Sequence, residues 1–193
     1  MNAALLETLR RAALEACRGQ VADPLLVAAT AGRALDAIAR MVEEHGRANS
    51  WLPRDPHEGR TGAALGVERA RYVIARTATA VCDLGTGPAQ ARGSLLAAHV
   101  TLVCAQDDLL PDLDALFARH AADRRDGIVG PRLVCITGAS RTADIEKMLV
   151  VPAHGPAAVT LLVVQDDLDW ARFLGDLEER CGAPATSGRR RPS

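Results

Sequence analysis

The chain has 193 residues, of which 48% are hydrophobic, and a formal net charge of -1 at pH 7. It is long enough to bury one sizeable core but short for two ordinary domains with a linker, so a single domain is expected. The near-neutral charge and the 3% of aromatic residues argue against a nucleic-acid surface, which needs basic patches and stacking side chains.

The N-terminus and the cysteines indicate the compartment. Residues 1–18 carry charges at helical spacing, and nowhere does the chain approach the roughly 20 apolar residues that cross a bilayer. The five cysteines stand singly, without a C-x-x-C pair, which argues against disulfides, a zinc site or an iron–sulfur cluster held by this chain alone. We therefore expect a cytoplasmic protein with buried, apolar cysteines, no membrane span and no metal or other cofactor of its own.

Residues 1–46 are predicted to form an N-terminal helical segment. Apolar residues recur every three or four positions in residues 4–18 and again in residues 35–45, where Gly46 suits a helix end. Residues 25–30 fit either a short strand or the start of the second helix. His45 lies on the apolar stripe, where an imidazole more often packs or caps than binds a ligand.

Residues 47–66 contain proline, glycine and charge without periodicity, which predicts a long loop. Trp51 in this loop is expected to anchor against the core, and the alternative is that it lines a cleft and stacks on a substrate. His57 and Glu58 are too isolated to indicate a metal site. Strands are predicted at residues 72–75 and 79–83, followed by a turn at residues 85–88.

The second half alternates strands and helices. Strands are predicted at residues 99–105 and 158–165, a helix opening near Asp107 with Leu109, Leu113, Leu116 and Phe117 on one side, and a last helix with an apolar stripe from Trp170 to Cys181. Residues 119–130 are predicted to loop back to the sheet with His120 in solvent, and residues 182–193 to be a disordered tail. Residues 47–181 would then form an α/β domain, continuous with the N-terminal segment.

The most informative stretch is residues 132–156. An apolar strand at Leu133–Thr137 leads into Gly138, which permits a sharp turn, and Ser140 or Thr142 would cap a following helix. Asp144 and Glu146 suit the first turn of that helix. The free N–H groups of the turn and the guanidinium of Arg141 would bind an anion. The alternative is an ordinary capped strand-to-helix connection whose polar groups satisfy one another.

The alternation of buried strands and amphipathic helices predicts an α/β fold with a mainly parallel sheet flanked by helices. Ligands of such sheets bind at the carboxyl ends of the strands. We therefore expect the turn at residues 137–142 to lie at that edge.

The run ITGASRTADIEKMLVVPAHGP resembles the signature segment of the lactate utilisation protein C (LutC/YkgG) type of LUD-domain protein. The resemblance implies a NagB/RpiA/CoA-transferase-like fold and a role in bacterial growth on L-lactate beside partner proteins that carry iron–sulfur clusters. Beside typical members of that family the N-terminal third of this chain looks abbreviated, and an incomplete sheet would leave an open edge, which suggests a homo-oligomer. A small carboxylate or phosphate-bearing ligand would be surrounded by Thr137, Gly138, Ser140, Arg141, Thr142, Asp144, Glu146 and His154.

One segment departs from the family pattern. The family reads alanine, an acid, threonine, glycine and threonine where this chain has Ala75-Arg76-Thr77-Ala78-Thr79. With Arg76 in place of the acid, either the acid is dispensable, or the ligand differs, or the protein is an inactive relative. Whether the chain is an enzyme is left open. The alternatives are a stand-alone isomerase or transferase acting on a phosphorylated or CoA-linked molecule, and a catalytically silent scaffold.

Overall fold

The computed structural model describes residues 3–18, 20, 22–53, 62–83, 97–140, 142–143, 149–150 and 155–182. The helices in these ranges are α1 (Ala3–Ala16), α2 (Ala31–His45), α3 (Leu113–Arg125) and α4 (Trp170–Cys181). The strands are β1 (Leu25–Ala28), β2 (Ser50–Trp51), β3 (Leu65–Arg69), β4 (Tyr72–Ile74), β5 (Thr79–Asp83), β6 (His99–Ala105), β7 (Leu109–Leu110), β8 (Leu133–Thr137), β9 (Thr142–Ala143), β10 (Leu149–Val150) and β11 (Ala158–Val164). Within the described ranges, every helix is too short or too polar to span a bilayer.

A five-stranded parallel sheet forms the centre of the fold. Its strand order is β1-β11-β6-β3-β2, and the central strands β6 and β11 pair over seven residues from His99 opposite Ala158 to Ala105 opposite Val164. Both central strands are almost continuously apolar, as expected when both faces of a strand are covered. The predicted mainly parallel sheet flanked by helices is confirmed.

Alternate side chains of β11 enter two different cores. Leu162 and Val164 pack in a cluster with Ile38 of α2 and Phe173 of α4. Leu161, Val163 and Val159 point to the opposite face, where they join a cluster that includes Leu9 of α1. Full burial of each such side chain contributes about 1.5–3 kcal/mol, so this strand stabilises both layers at once.

A second sheet lies against the face that α1 also covers. Its order is β7-β4-β5-β8, with β4, β5 and β8 antiparallel and β7 parallel to β4. Val73, Ala80 and Cys82 of this sheet pack in the cluster of the parallel sheet. Tyr72, Ile74 and Val81 face the other way and pack with Leu116 of α3. The sequence predicted three of these strands, β4, β5 and β8, but neither β7 nor a separate sheet.

The structure decides one open alternative in the first third and corrects one prediction there. Residues 25–30 contain strand β1 at Leu25–Ala28, which is the strand alternative, so the N-terminal segment contributes to the parallel sheet as well as two helices. The predicted loop at residues 47–66 contains strand β2, and β3 already begins at Leu65. Pairing of Ser50 with Leu65 and burial of Trp51 hold β2 in place, and neither is visible in local periodicity.

The helix predicted from Asp107 is wrong at both ends. Leu109–Leu110 pairs with β4 as β7, and α3 begins after Asp112, whose carboxylate accepts a hydrogen bond of 3.0 Å from the N–H of Ala115. The helix then continues to Arg125, through residues predicted as a loop. Leu116 is buried, but Leu113 and Phe117 are exposed, which is not the shared covered face that was predicted.

Three cysteines lie in predicted strands, and the prediction that they are buried is wrong for Cys135. Cys82 and Cys104 are buried, and their burial raises the pKa of each thiol. Cys135 is exposed, because it lies on β8, the last strand of the second sheet as described. The prediction of burial thus holds for strands covered on both faces and fails on this edge.

A buried carboxylate joins α3 to the second sheet. Asp123 accepts hydrogen bonds from Oη of Tyr72 at 2.7 Å and from Nε of Arg119 at 3.1 Å, and a guanidinium nitrogen of Arg71 lies 3.5 Å away. Burial disfavours the charge of Asp123, but these donors outweigh burial and hold the pKa of the carboxyl below its usual value. His120 packs edge-on against Tyr72 and is half-buried, so the prediction that it lies in solvent is wrong.

We expect Tyr72→Phe to lower the free energy of unfolding by about 1.5–3 kcal/mol at pH 7, because it removes a hydrogen bond to a charged acceptor. A lowered carboxyl pKa stabilises the fold above the unfolded-state value of about 4 and ceases to do so as the pH falls through the folded-state value. The difference between variant and wild type should therefore shrink as the pH falls below about 4. Urea unfolding across this pH range measures it, with Arg124→Ala as a control outside the cluster. An equal difference at all pH values would contradict this account.

Candidate functional site

The turn after β8 is tightly packed. Gly138 has φ +69°, and a Cβ at this position would lie 2.4 Å from the carbonyl oxygen of Ala16 at the end of α1. Gly155 has φ +102°, and its Cβ would lie 2.7 Å from Cβ and Oγ of Ser140. The Ser140 N–H donates to the carbonyl oxygen of Pro156 at 2.8 Å. Both glycines are therefore required by backbone conformation and by close approach.

The helix predicted to start at Ser140 or Thr142 does not form there. Thr142–Ala143 is strand β9 and pairs antiparallel with Leu149–Val150. Of the other predicted site residues, Arg141, Asp144, Glu146 and His154 lie outside the described residues, and Thr142 is described only in its backbone. At Ser140 the N–H that was predicted to be free for an anion is already donated within the protein.

The turn also lies at the opposite edge from the one predicted. Strand β8 belongs to the second sheet, and its turn bonds to Pro156, just before β11 begins. Ala157 in turn donates to the carbonyl of Ala98, just before β6 begins. These bonds place the turn at the amino ends of the parallel strands. The prediction failed because β8 is not a strand of the parallel sheet but pairs antiparallel with β5 in the second sheet.

Three threonine hydroxyls form a hydrogen-bonded chain beside this turn. Oγ1 of Thr79 lies 2.7 Å from Oγ1 of Thr77 and 2.7 Å from Oγ1 of Thr137. Thr79 is buried, whereas the two end residues are exposed. In a chain of three hydroxyls that runs in one direction, the last hydroxyl has a proton left to donate. An exposed donor therefore remains at Thr77 or Thr137.

The same contacts bring the segment that departs from the family pattern, residues 75–79, next to the turn after β8. Residues 75–78 form the tight turn between β4 and β5, and Thr79, the first residue of β5, pairs with Thr137. Ala78 has φ +51°, a conformation that favours the glycine expected at this position. Arg76 is exposed, and its N–H reaches the carbonyl of Pro111 at 3.3 Å.

A cavity of about 310 Å³ lies at the carboxyl edge of the parallel sheet, where α/β proteins usually bind ligands. Trp51 ends β2, Glu68 and Arg69 end β3, and Trp170 begins α4. The described residues that line it are Trp51, Pro53, Glu68, Arg69, Arg71, Asp83, Ile128 and Trp170. Trp51 is 4% exposed, so it is both a core anchor and a cavity wall, and the two roles weighed for it are compatible.

Among the described residues, two cationic and two acidic side chains line the cavity. The guanidinium of Arg69 lies over the Trp170 ring at 5.5 Å, and burial together with Arg71 lowers its pKa without removing the charge of an arginine. Nε of Arg71 is buried and has no hydrogen-bond partner among the described residues. Glu68 is 6% exposed, and Asp83 accepts a hydrogen bond of 2.8 Å from the N–H of Gly130.

This arrangement is suited to a small polar ligand. Guanidinium groups bind carboxylate or phosphate oxygens, carboxylates accept from hydroxyl or amino groups, and tryptophan rings contact an apolar or planar part. Only Trp51 was considered for such a role from the sequence. The one local signal is the charged pair Glu68-Arg69 at the end of a buried apolar strand.

Comparison with known proteins relates most of the chain to one family. Residues 57–164 match the family model described as LUD domain. A lactate utilisation protein C from Oceanobacillus iheyensis is 36% identical over 37% of this chain and 31% of its own length. A protein of the same name from an Exiguobacterium species is 30% identical over 61% of this chain and 51% of its own length. The matched segments thus span about half or less of these relatives.

A solved structure supports the fold. The crystal structure of a DUF162 family protein from Deinococcus radiodurans superposes with a TM-score of 0.56 over 85% of this chain and 98% of its own, at 16% sequence identity. At this identity the likeness concerns the fold alone.

Gly138→Ala is expected to destabilise the protein by roughly 3 kcal/mol or more, because left-handed strain adds to a clash with backbone. Gly127→Ala is a matched control: its φ is +70°, but nothing lies within 4 Å of the position that the new methyl group would take. The control should lose only about 1–2 kcal/mol. Chemical denaturation measures both. Equal losses would show that contact with Ala16 does not constrain the turn.

Proposed function

The chain belongs to the LUD domain family, and we propose that it is an accessory protein of bacterial growth on L-lactate or a related organic acid. In this proposal it binds a small carboxylate or phosphate-bearing ligand and does not itself carry out the oxidation. The names of its relatives support the link to lactate utilisation. The electron transfer would fall to partner subunits that carry iron–sulfur clusters, and the open sheet edges would allow a homo-oligomer.

The observation that carries the proposal is the pair of guanidinium groups in the cavity at the carboxyl edge. Arg71 is held from behind by Asp123 and has a buried N–H without an acceptor among the described residues. A buried donor without a partner is costly, and an anionic oxygen would remove that cost. Glu68 and Asp83 in the same wall favour a ligand that also bears a hydroxyl or amino group. A 2-hydroxy acid combines both features.

The turn after β8 is a second candidate site for the same anion. The exposed end of the Thr77–Thr79–Thr137 chain offers one donor, and Arg141 follows Ser140 directly in sequence. Against this site, the Ser140 N–H is already donated to Pro156. The cavity is therefore the preferred site, and the predicted roles of Arg141, Thr142, Asp144, Glu146 and His154 stay predictions.

Thermal unfolding with L-lactate, phosphate, CoA and sugar phosphates tests the function and the site together. We expect L-lactate or another 2-hydroxy acid at saturating concentration to raise the Tm by several degrees, since a ligand at 100 times its Kd adds about 2.7 kcal/mol. Arg69→Gln should abolish this shift. Arg141→Ala and the exposed-site control Arg76→Gln should keep it.

Each other result selects an alternative. Loss of the shift in Arg141→Ala and its persistence in Arg69→Gln would move the site to the turn after β8. A response to CoA or sugar phosphates alone would favour a stand-alone transferase or isomerase. A chain that responds to none of these compounds would be the catalytically silent scaffold.

A further inference from the structure

A second cavity lies at the amino edge of the parallel sheet, on the side covered by α2. It has a volume of about 480 Å³. His99 is the first residue of β6, Thr160 lies near the start of β11, and Glu44 and His45 end α2. The described residues that line it are Ala22, Asp23, Leu26, Met41, Glu44, His45, His99, Ala157, Ala158 and Thr160. None of these residues is among the described lining of the cavity at the carboxyl edge.

A short hydrogen-bond relay fixes the protonation pattern of His99. The hydroxyl of Thr160 donates to the carbonyl oxygen of Asp23 at 2.6 Å, so its single proton is in use. Nε2 of His99 lies 2.9 Å from the same hydroxyl oxygen and must therefore be the donor. The neutral ring then carries its proton on Nε2, and Nδ1 is an acceptor. No hydrogen bond from the described residues reaches Nδ1.

The surroundings of His99 favour its neutral form, and the rim of the cavity carries carboxylates. Burial lowers the pKa of His99, the neighbouring His45 lowers it further, and Glu44 partly opposes both. The two imidazole rings are T-shaped, with centroids 5.9 Å apart. Asp23 and Glu44 are exposed carboxylates at the rim, and no lysine or arginine is among the lining residues that the structure describes. The polar groups that converge here are thus mainly acceptors.

We propose that this cavity binds a small organic cation, a primary ammonium group carried on an apolar body. The ammonium has three N–H donors and a positive charge, which complement Nδ1 of His99 and the carboxylate of Glu44. The apolar body would lie against Leu26, Met41 and Ala157. A metal ion is a poorer fit, since the described residues contain no group of three histidine, cysteine or acidic side chains placed to hold one.

Benzylamine is a suitable probe because it is protonated at neutral pH, and benzyl alcohol is its neutral counterpart. Titration calorimetry of the full chain should detect benzylamine and give at least roughly threefold weaker binding of benzyl alcohol. Glu44→Gln should weaken benzylamine by roughly threefold or more, as expected for loss of a rim ion pair. Glu43→Gln is the matched control, because Glu43 is the neighbouring exposed acid and does not line the cavity.

The pH dependence and His99→Gln test the imidazole directly. Benzylamine binding should weaken as the pH falls below about 6.5, the ordinary pKa of histidine, because the pKa of His99 lies below that value and protonated His99 would repel a cation. His99→Gln, with circular dichroism to verify folding, should weaken binding at pH 7.5 and flatten this dependence. Equal affinity for the amine and the alcohol, equal effects of the two glutamate variants, or a response to zinc or nickel but not to benzylamine would overturn the proposal.

Discussion

The parallel pairing of β6 with β11 is the interaction on which the rest of the structure depends. Both strands are buried on both faces, so α2 and α4 pack on one side while α1 and the second sheet pack on the other. The two edges of this pair then differ in chemistry. The carboxyl edge leads to a cavity with two arginines and two tryptophans, and the amino edge leads to one with two histidines and rim carboxylates.

The signature segment serves the fold at least as much as it serves any ligand. Gly138 lets β8 pass under the end of α1, and Gly155 lets the chain return past Ser140 into β11. These contacts tie together three elements that are far apart in sequence. A string of residues can therefore be a family signature because of its close packing, even where its side chains do not touch a ligand.

The long elements could be predicted from the sequence because their signals are local. The strands at residues 99–105 and 133–137 and the helix at residues 170–181 have the predicted bounds. The short strands β2, β7, β9 and β10 were missed, since two residues are recognised as a strand only through their pairing with another segment. At Ser140 and Thr142, small and hydroxylated residues suit a helix cap and a turn between strands equally well.

The candidate site was harder to predict than the fold. The turn at residues 137–140 was recognised, but it was predicted at the wrong edge of the parallel sheet. Nothing in the local sequence indicates that β8 belongs to a second sheet. The cavity at the carboxyl edge joins Trp51, Arg69 and Trp170, which no sequence spacing relates. Such a site becomes visible only when the strand order is known.

Strand β8 has a consequence for the behaviour of the protein in solution. Its five residues, Leu-Val-Cys-Ile-Thr, include no charge and no proline, and in the described sheet one side of its backbone has no neighbouring strand. Natural proteins usually protect such edges with lysine, proline or a bulge. This short segment is therefore the place where we expect two copies of the chain to begin to associate edge to edge.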